Sequence, residues 1–279
     1  MNDLRYIFAK PIDINIGTIY PLNILDYTIN IHKFNVLAMN RNSLLQAYDI
    51  KTQKEDRDWI EQNIKDFDVI CMNPQYIKSV IELFEIVFKK NSEEINSNYI
   101  EIYTQINQDI ESNKIKQEDL NDIKIILPYL EKIFILVGDI PIYRDNYTYV
   151  KNQICKINSV HLPRQYKTKK LQERMDLARS RQSQGNDQDY EDIITTLAIV
   201  GHYDLEKLEN KTVYQINALI NRANKVKEFD CNIQYICAGA EKVKLESFTT
   251  HIDVNENKEK LSSDYYAENE RVKSLLKTK

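Results

Sequence analysis

Apolar residues recur along this chain at two different spacings. At the start they alternate with polar ones, as Tyr6-Ile7-Phe8 and then Ile12, Ile14 and Ile16, with Gly17 as a turn before Ile19 and Tyr20. Alternate residues of a strand share a face, so this stretch predicts a β-hairpin. From Pro21 the spacing changes to three and four. Pro21 suits the first turn of a helix, where a missing N–H leaves no bond unmade. Leu22, Leu25, Ile29, Phe34 and Leu37 then follow at helical intervals, predicting a helix over residues 21–39. Two more amphipathic helices are expected, over 43–48 and over 55–72, the second burying Trp59, Ile60, Ile64, Phe67, Val69 and Ile70. Pro74 opens another, whose Ile77, Val80, Ile81, Phe84, Val87 and Phe88 mark it as a core element.

Residues 91–121 turn polar, with scattered single isoleucines, and read as a partly helical surface insertion. Apolar residues crowd together again from Ile123 to Val137, and β-branched residues then flank Gly138-Asp139. That predicts a second hairpin pairing residues 132–137 with 140–143. Asp145 is the expected N-cap of a helix through Tyr149, Ile154 and Ile157. Residues 164–181 carry seven basic residues against Glu173 and Asp176, which predicts an exposed basic helix, followed by a polar linker at 181–189. A C-terminal helical module over 190–254 begins with Ile193, Ile194, Leu197, Ala198 and Val200 and places Gly201 at the C′ position. Thr212 and Gln215 form a T-x-x-Q capping box ahead of a helix over 213–236, with Val213, Ile216, Leu219, Ile220, Ala223, Val226, Ile233 and Ile236 facing inward. The charged tail, 255–279, lacks a sustained apolar stripe and is expected to fray. The resulting fold class is α+β, predominantly α-helical, with residues 1–163 as one domain and 164–189 as basic helix and linker.

Composition narrows the function more than it identifies it. The 279 residues hold 38 Lys+Arg against 42 Asp+Glu, a net charge of −4, so no global basic field draws the chain to nucleic acid or anionic lipid. Five glycines are too few for glycine-built cofactor loops, and GxSxG, P-loop and HExxH patterns are missing. The opening MNDLRYIFAKPIDI does not read as a signal peptide, and no apolar window reaches the roughly 20 residues of a membrane span, so a cytoplasmic location is expected. Cys71, Cys155, Cys231 and Cys237 lack CxxC spacing and read as reduced core residues. His32, His161, His202 and His251 stand far apart, His202 at a helix end. Carboxylate groups such as Glu93-Glu94 and Asp187, Asp189, Glu191, Asp192 lie in hydrophilic stretches, as solvated faces or helix N-terminal charges. No catalytic, cofactor or metal residue is assigned. The candidate partner-binding cluster is Arg164, Lys167, Lys169, Lys170 and Arg174. With only Tyr166 as an interleaved aromatic, it suits an acidic protein better than a nucleic acid.

The order of segments also resembles a family. Lys10-Pro11-Ile12 with Gly17-Thr18-Ile19-Tyr20-Pro21-Leu22, then Ile142-Tyr143-Arg144-Asp145-Asn146-Tyr147, then Asp192-Ile193-Ile194 to Gly201 and Leu208 through Gln215-Ile216 to Arg222 are similar to segments of tail assembly chaperone-like proteins. These are encoded in the tail gene cluster of phages and prophages of low-GC Gram-positive bacteria. Phe248 is a departure, since these proteins commonly carry Trp there. The resemblance implies a non-enzymatic tail-assembly accessory protein that keeps the tape-measure protein soluble and recruits tail-tube subunits in the host cytoplasm. The alternatives are a virion component, such as a tail or baseplate connector, and a nucleic-acid-binding module acting through residues 164–181.

Overall fold

The computed structural model describes residues 4–48, 54–118, 122–162, 164–183, 189–240, 243–252 and 254. Helices α1 (Leu4–Ile7), α2 (Ile24–Ile29), α3 (Ile31–Leu37), α4 (Arg41–Tyr48), α5 (Lys54–Asn63), α6 (Asp66–Cys71) and α7 (Pro74–Phe88) make the first half, with strands β1 (Ile12–Ile14) and β2 (Gly17–Ile19) as a hairpin near its start. Strand β3 (Ile95–Ser97), helices α8 (Tyr99–Glu111) and α9 (Ile123–Leu130), strands β4 (Ile135–Val137) and β5 (Ile140–Ile142) and helices α10 (Tyr147–Ile157), α11 (Lys169–Ser183), α12 (Tyr190–Val200), α13 (Leu205–Glu209) and α14 (Val213–Cys237) follow. The fold is predominantly helical α+β.

Helix α7 organises the first half. Asn73 caps it, its side chain accepting from the Gln75 N–H at 2.9 Å, and Pro74 occupies the first turn. Ile77, Val80, Leu83, Phe84, Val87 and Phe88 are all buried, each worth roughly 1.5–3 kcal/mol of apolar burial. The β1–β2 hairpin docks on its end, where the Tyr20 N–H donates to the Val87 carbonyl at 2.7 Å. The two-residue turn of that hairpin is Asn15-Ile16, with Gly17 opening β2 at φ +147°, and Tyr6 and Ile7 are helical rather than extended.

Two long helices expected from periodicity are each broken in two. Asn30 is the C-cap of α2 and precedes α3, so residues 21–39 bend while Tyr27, Phe34 and Leu37 all reach the core. Pro21 precedes the helix rather than entering it, and Asn23 is the N-cap. Residues 55–72 break at Ile64-Lys65, between α5 and α6. The break gives α4, α5, α6 and α9 a small core of their own, made of Leu44, Leu45, Ile60, Ile64, Val69, Ile123 and Leu127.

The polar stretch 91–121 is no appendage. Its Ile95–Ser97 pairs antiparallel with β4, Ile95 opposite Val137, so the second hairpin becomes a sheet of order β3-β4-β5. Single isoleucines are enough to anchor it, since Ile95, Ile102 and Ile106 are buried. Gly138 takes φ +61° in the β4–β5 turn, a left-handed conformation that favours glycine.

The C-terminal helices pack onto the N-terminal ones. Residues from Tyr6 through Phe84 and Tyr147 to Leu197, Leu208, Ile216 and Val254 form one continuous buried cluster. Backbone joins the two ends: the Ile24 N–H donates to the Lys211 carbonyl at 2.8 Å, and Asn23 bridges to Thr212. Thr212 and Gln215 form the expected capping box, the Thr212 N–H donating to Gln215 Oε1 at 2.9 Å and the Gln215 N–H to Thr212 Oγ1 at 3.2 Å. Only the first half of α14 is core, through Val213, Tyr214, Ile216 and Ile220. Val226, Ile233 and Ile236, expected inward, are exposed, because the helix runs on past the elements it packs against. Cys231 and Cys237 are therefore exposed too, whereas Cys71 and Cys155 are buried as expected. Residues 255–279 and most of the linker expected at 181–189 lie outside the described residues.

Candidate partner-binding surfaces

The basic segment is held to the body by a polar clasp. The helix begins at Lys169 rather than 164, and residues 164–168 run as irregular chain across α4 and α5. Asn42 Nδ2 donates to the Gln165 carbonyl at 2.8 Å, and Gln46 Nε2 donates to the Tyr166 carbonyl at 2.6 Å. Lys167 Nζ meets Glu61 Oε2 at 2.7 Å, and that contact holds the Glu61 carboxyl below its usual range. Arg164 lies 5.6 Å from the Tyr166 ring centre. Lys169, Lys170 and Arg174 are exposed on the first turns of α11. Lys167 is thus engaged within the fold.

The Ile142–Tyr147 motif is an ionic staple between α6 and α10. Asp68 is fully buried, and Arg144 Nε donates to its two carboxylate oxygens at 2.7 and 2.9 Å. The Lys65 N–H donates to Asp68 Oδ2 at 2.8 Å, Arg144 reaches Glu131 Oε1 at 2.6 Å, and its remaining nitrogen donates to the Asn63 carbonyl. Asp145, expected as an N-cap, instead pairs with Lys65, and the cap position falls to Asn146, whose Oδ1 accepts from the Tyr143 N–H at 2.9 Å. Lys151, also buried, pairs with Asp66 at 3.3 Å. Every charge here has an opposite partner, which suits it to holding elements in register rather than to proton transfer.

Other chemistry is sparse. Among the described residues no group of three or more His, Cys, Asp or Glu is placed to hold a metal, and no helix is long and apolar enough to cross a membrane. Burial raises the Cys71 and Cys155 thiols, the latter to about 12, so neither is a ready nucleophile. Asp189 caps α12 by accepting from the Asp192 N–H at 2.9 Å, and Glu191 and Asp192 sit in its first turn, where the helix dipole favours negative charge.

A groove of about 580 Å³ lies between α1, α14 and residues His251, Ile252 and Val254. Leu4 and Ile7 wall one side, Tyr214, Ala218 and Leu219 form the floor, and Val254 closes the end. Tyr6 stacks near Tyr214 with ring centres 5.3 Å apart, and Gln215 Nε2 donates to the Ile7 carbonyl at 2.7 Å, fixing α1 beside α14. Lys211 and Arg222 stand at the margins. Arg222 donates to the Phe248 and Thr250 carbonyls, drawing the 243–252 segment along the helix, and Phe248 meets Phe229 edge to face at 5.3 Å. Tyr203 supplies another wall, and its position depends on Gly201: a Cβ there would lie 2.7 Å from the Tyr203 ring and 2.8 Å from the Leu197 carbonyl. Glycine is needed for close approach, since Gly201 has φ −92° as C-cap and the left-handed residue is His202 at φ +53°. This corrects the expectation of Gly201 at C′. The groove itself escaped the sequence, because its walls come from four separated segments; the Ala218, Leu219, Arg222 spacing was its only local trace.

Comparison with known proteins finds a likeness to a prophage-derived protein. Residues 181–253 match the model of the YomV second domain. That span opens in the last turn of α11 and takes in α12, α13, α14 and the 243–252 segment. Over 256 residues, 91% of this chain and 91% of the relative, the sequence is 21% identical to the SPbeta prophage-derived uncharacterized protein YomV of Bacillus subtilis (strain 168). No solved structure matches. The likeness supports a prophage-derived family.

Proposed function

We propose that this protein is a non-catalytic accessory factor of phage assembly that binds other proteins, and that its clients are tail proteins, the tape-measure protein first and tail-tube subunits second. The observation that carries the reading is the open, largely apolar groove beside α14, a surface of the kind that receives one face of an amphipathic helix. The likeness to a prophage-derived relative and the resemblance of the Lys10–Leu22, Ile142–Tyr147 and Asp192–Arg222 segments to tail assembly chaperone-like proteins supply the phage context. A chaperone of this kind works in the host cytoplasm and leaves before the particle is complete. Co-expression with the tape-measure protein of the same phage tests it. The expected result is more soluble tape-measure protein, co-purifying with this chain; unchanged solubility with no co-purification overturns the reading. Recovery of the chain by mass spectrometry from purified particles would replace it with a virion component.

A further inference from the structure

We infer that the groove beside α14 selects an amphipathic helix whose apolar face is flanked by carboxylates, presented by a second protein. The inference deepens the protein-binding reading and rests on it only in taking the groove for a protein-binding surface. Its floor and walls are largely apolar: Leu4 and Ile7 are exposed, Leu219 is half-buried, and the buried Tyr214 contributes to the lining. At about 580 Å³ it falls within the range of formed binding cavities and accommodates several large apolar anchors at helical spacing. Its margins carry one sign of charge. Lys211 and Arg222 both line it, and no carboxylate does so among the described residues. Arg222 Nη1 donates to the Phe248 and Thr250 carbonyls, which orient the guanidinium without neutralising it. In a chain of net charge −4 this cationic rim is a local exception, and low-dielectric walls strengthen its field. A helix with Glu or Asp beside its apolar stripe gains two attractive contacts there, whereas a Lys-flanked helix of the same stripe meets repulsion, which is how charge confers specificity on an apolar site.

The test uses the full chain and two fluorescein-labelled helical peptides with identical leucine stripes, one with glutamates on the flanking positions and one with lysines there. Fluorescence anisotropy is expected to show the glutamate peptide binding at least tenfold more tightly, with affinity falling as salt rises. Lys211→Glu should reduce or reverse that preference, since its side chain stands at the rim and its structural hydrogen bonds run through the backbone. Ala218→Trp should fill the floor and abolish binding of both peptides, with thermal melting used to verify that the variant is folded. Equal binding of both peptides, no binding of either, or a preference unchanged in Lys211→Glu overturns the inference. So does binding that appears only when residues 255–279 are deleted, which would make the chain's own tail the occupant. A failed tape-measure co-expression with intact peptide preference would remove the tail-assembly client and leave the groove chemistry standing.

Discussion

Tyr147 is wholly buried against Phe67, with ring centres 5.1 Å apart, yet its hydroxyl has no hydrogen-bond partner among the described residues. Burying an unpaired hydroxyl costs about 1–3 kcal/mol, so Tyr147→Phe is expected to leave the fold intact and raise stability by about 1 kcal/mol in urea denaturation. A loss of stability would mean that the hydroxyl is satisfied in solution. Asp109 is the opposite case, a carboxylate 2.7 Å from Lys114 Nζ and 2.8 Å from the Tyr129 hydroxyl. These bonds, the Lys114 one first, lower its pKa below the ordinary 3.8. A depressed carboxylate contributes its stability above the unfolded value and loses it as pH falls through the folded one. Asp109→Asn should therefore be less stable than the parent at about pH 6, and the gap should close toward about pH 3. A gap that stays constant with pH would rule out the ionic origin. Neither environment could be read from the sequence, because Asp109 and Tyr147 look like ordinary helical residues until tertiary packing places their neighbours.

At the level of elements, periodicity located the segments well and their ends poorly. α7 was legible because its proline and its apolar face agree, and the Thr212–Gln215 box was legible because capping is local. The breaks at Asn30 and at Ile64-Lys65 were not, since tertiary packing redirects the chain there without a glycine or proline to announce it. Strand β3 was hidden for a related reason: three residues pair with a partner some forty positions away. The end of α12 shows how a local rule can mislead by one residue. Gly201 lies where a left-handed cap was expected, but His202 bears the positive φ and Gly201 makes room for the Tyr203 ring. Two opposite outcomes follow. Gly201→Ala should cost about 1–3 kcal/mol through crowding and push Tyr203 off the groove wall. His202→Gly should stabilise by about 0.5–1 kcal/mol, as relief of left-handed strain outweighs the entropy of an added glycine. Thermal melts of the two variants decide it, and stabilisation by Gly201→Ala would contradict the geometry.

Across the whole molecule, the candidate surface is built where α1 meets α14 and residues His251, Ile252 and Val254, segments far apart in sequence, which is why the local cluster at residues 164–174 stands out in the sequence while the groove does not. Leu4 and Ile7 wall it only because Gln215 and Tyr214 hold α1 against α14, and α14 is held in turn by Lys211 and Thr212 against Ile24 and Asn23. The groove therefore exists only as long as the C-terminal helices stay docked. A single buried cluster joins Ile216 to Phe84 and Tyr147, so unfolding of the two ends should be coupled. The lone Trp59 reports on the remote small core that α5 shares with α4, α6 and α9, which makes the coupling measurable. Ile216→Ala removes a fully buried side chain from α14 and is expected to cost about 2–5 kcal/mol. If the molecule melts as one unit, that loss lowers the Trp59 fluorescence transition and the helical circular-dichroism transition together, in one step at the same denaturant concentration. If residues 190–254 instead behave as a separate module, the circular-dichroism curve splits and the Trp59 transition stays at the parent's midpoint. The first outcome also predicts that a core defect far from the groove, in the cluster around Phe84, weakens partner binding by lowering the docked population, whereas the second confines such effects to the C-terminal helices.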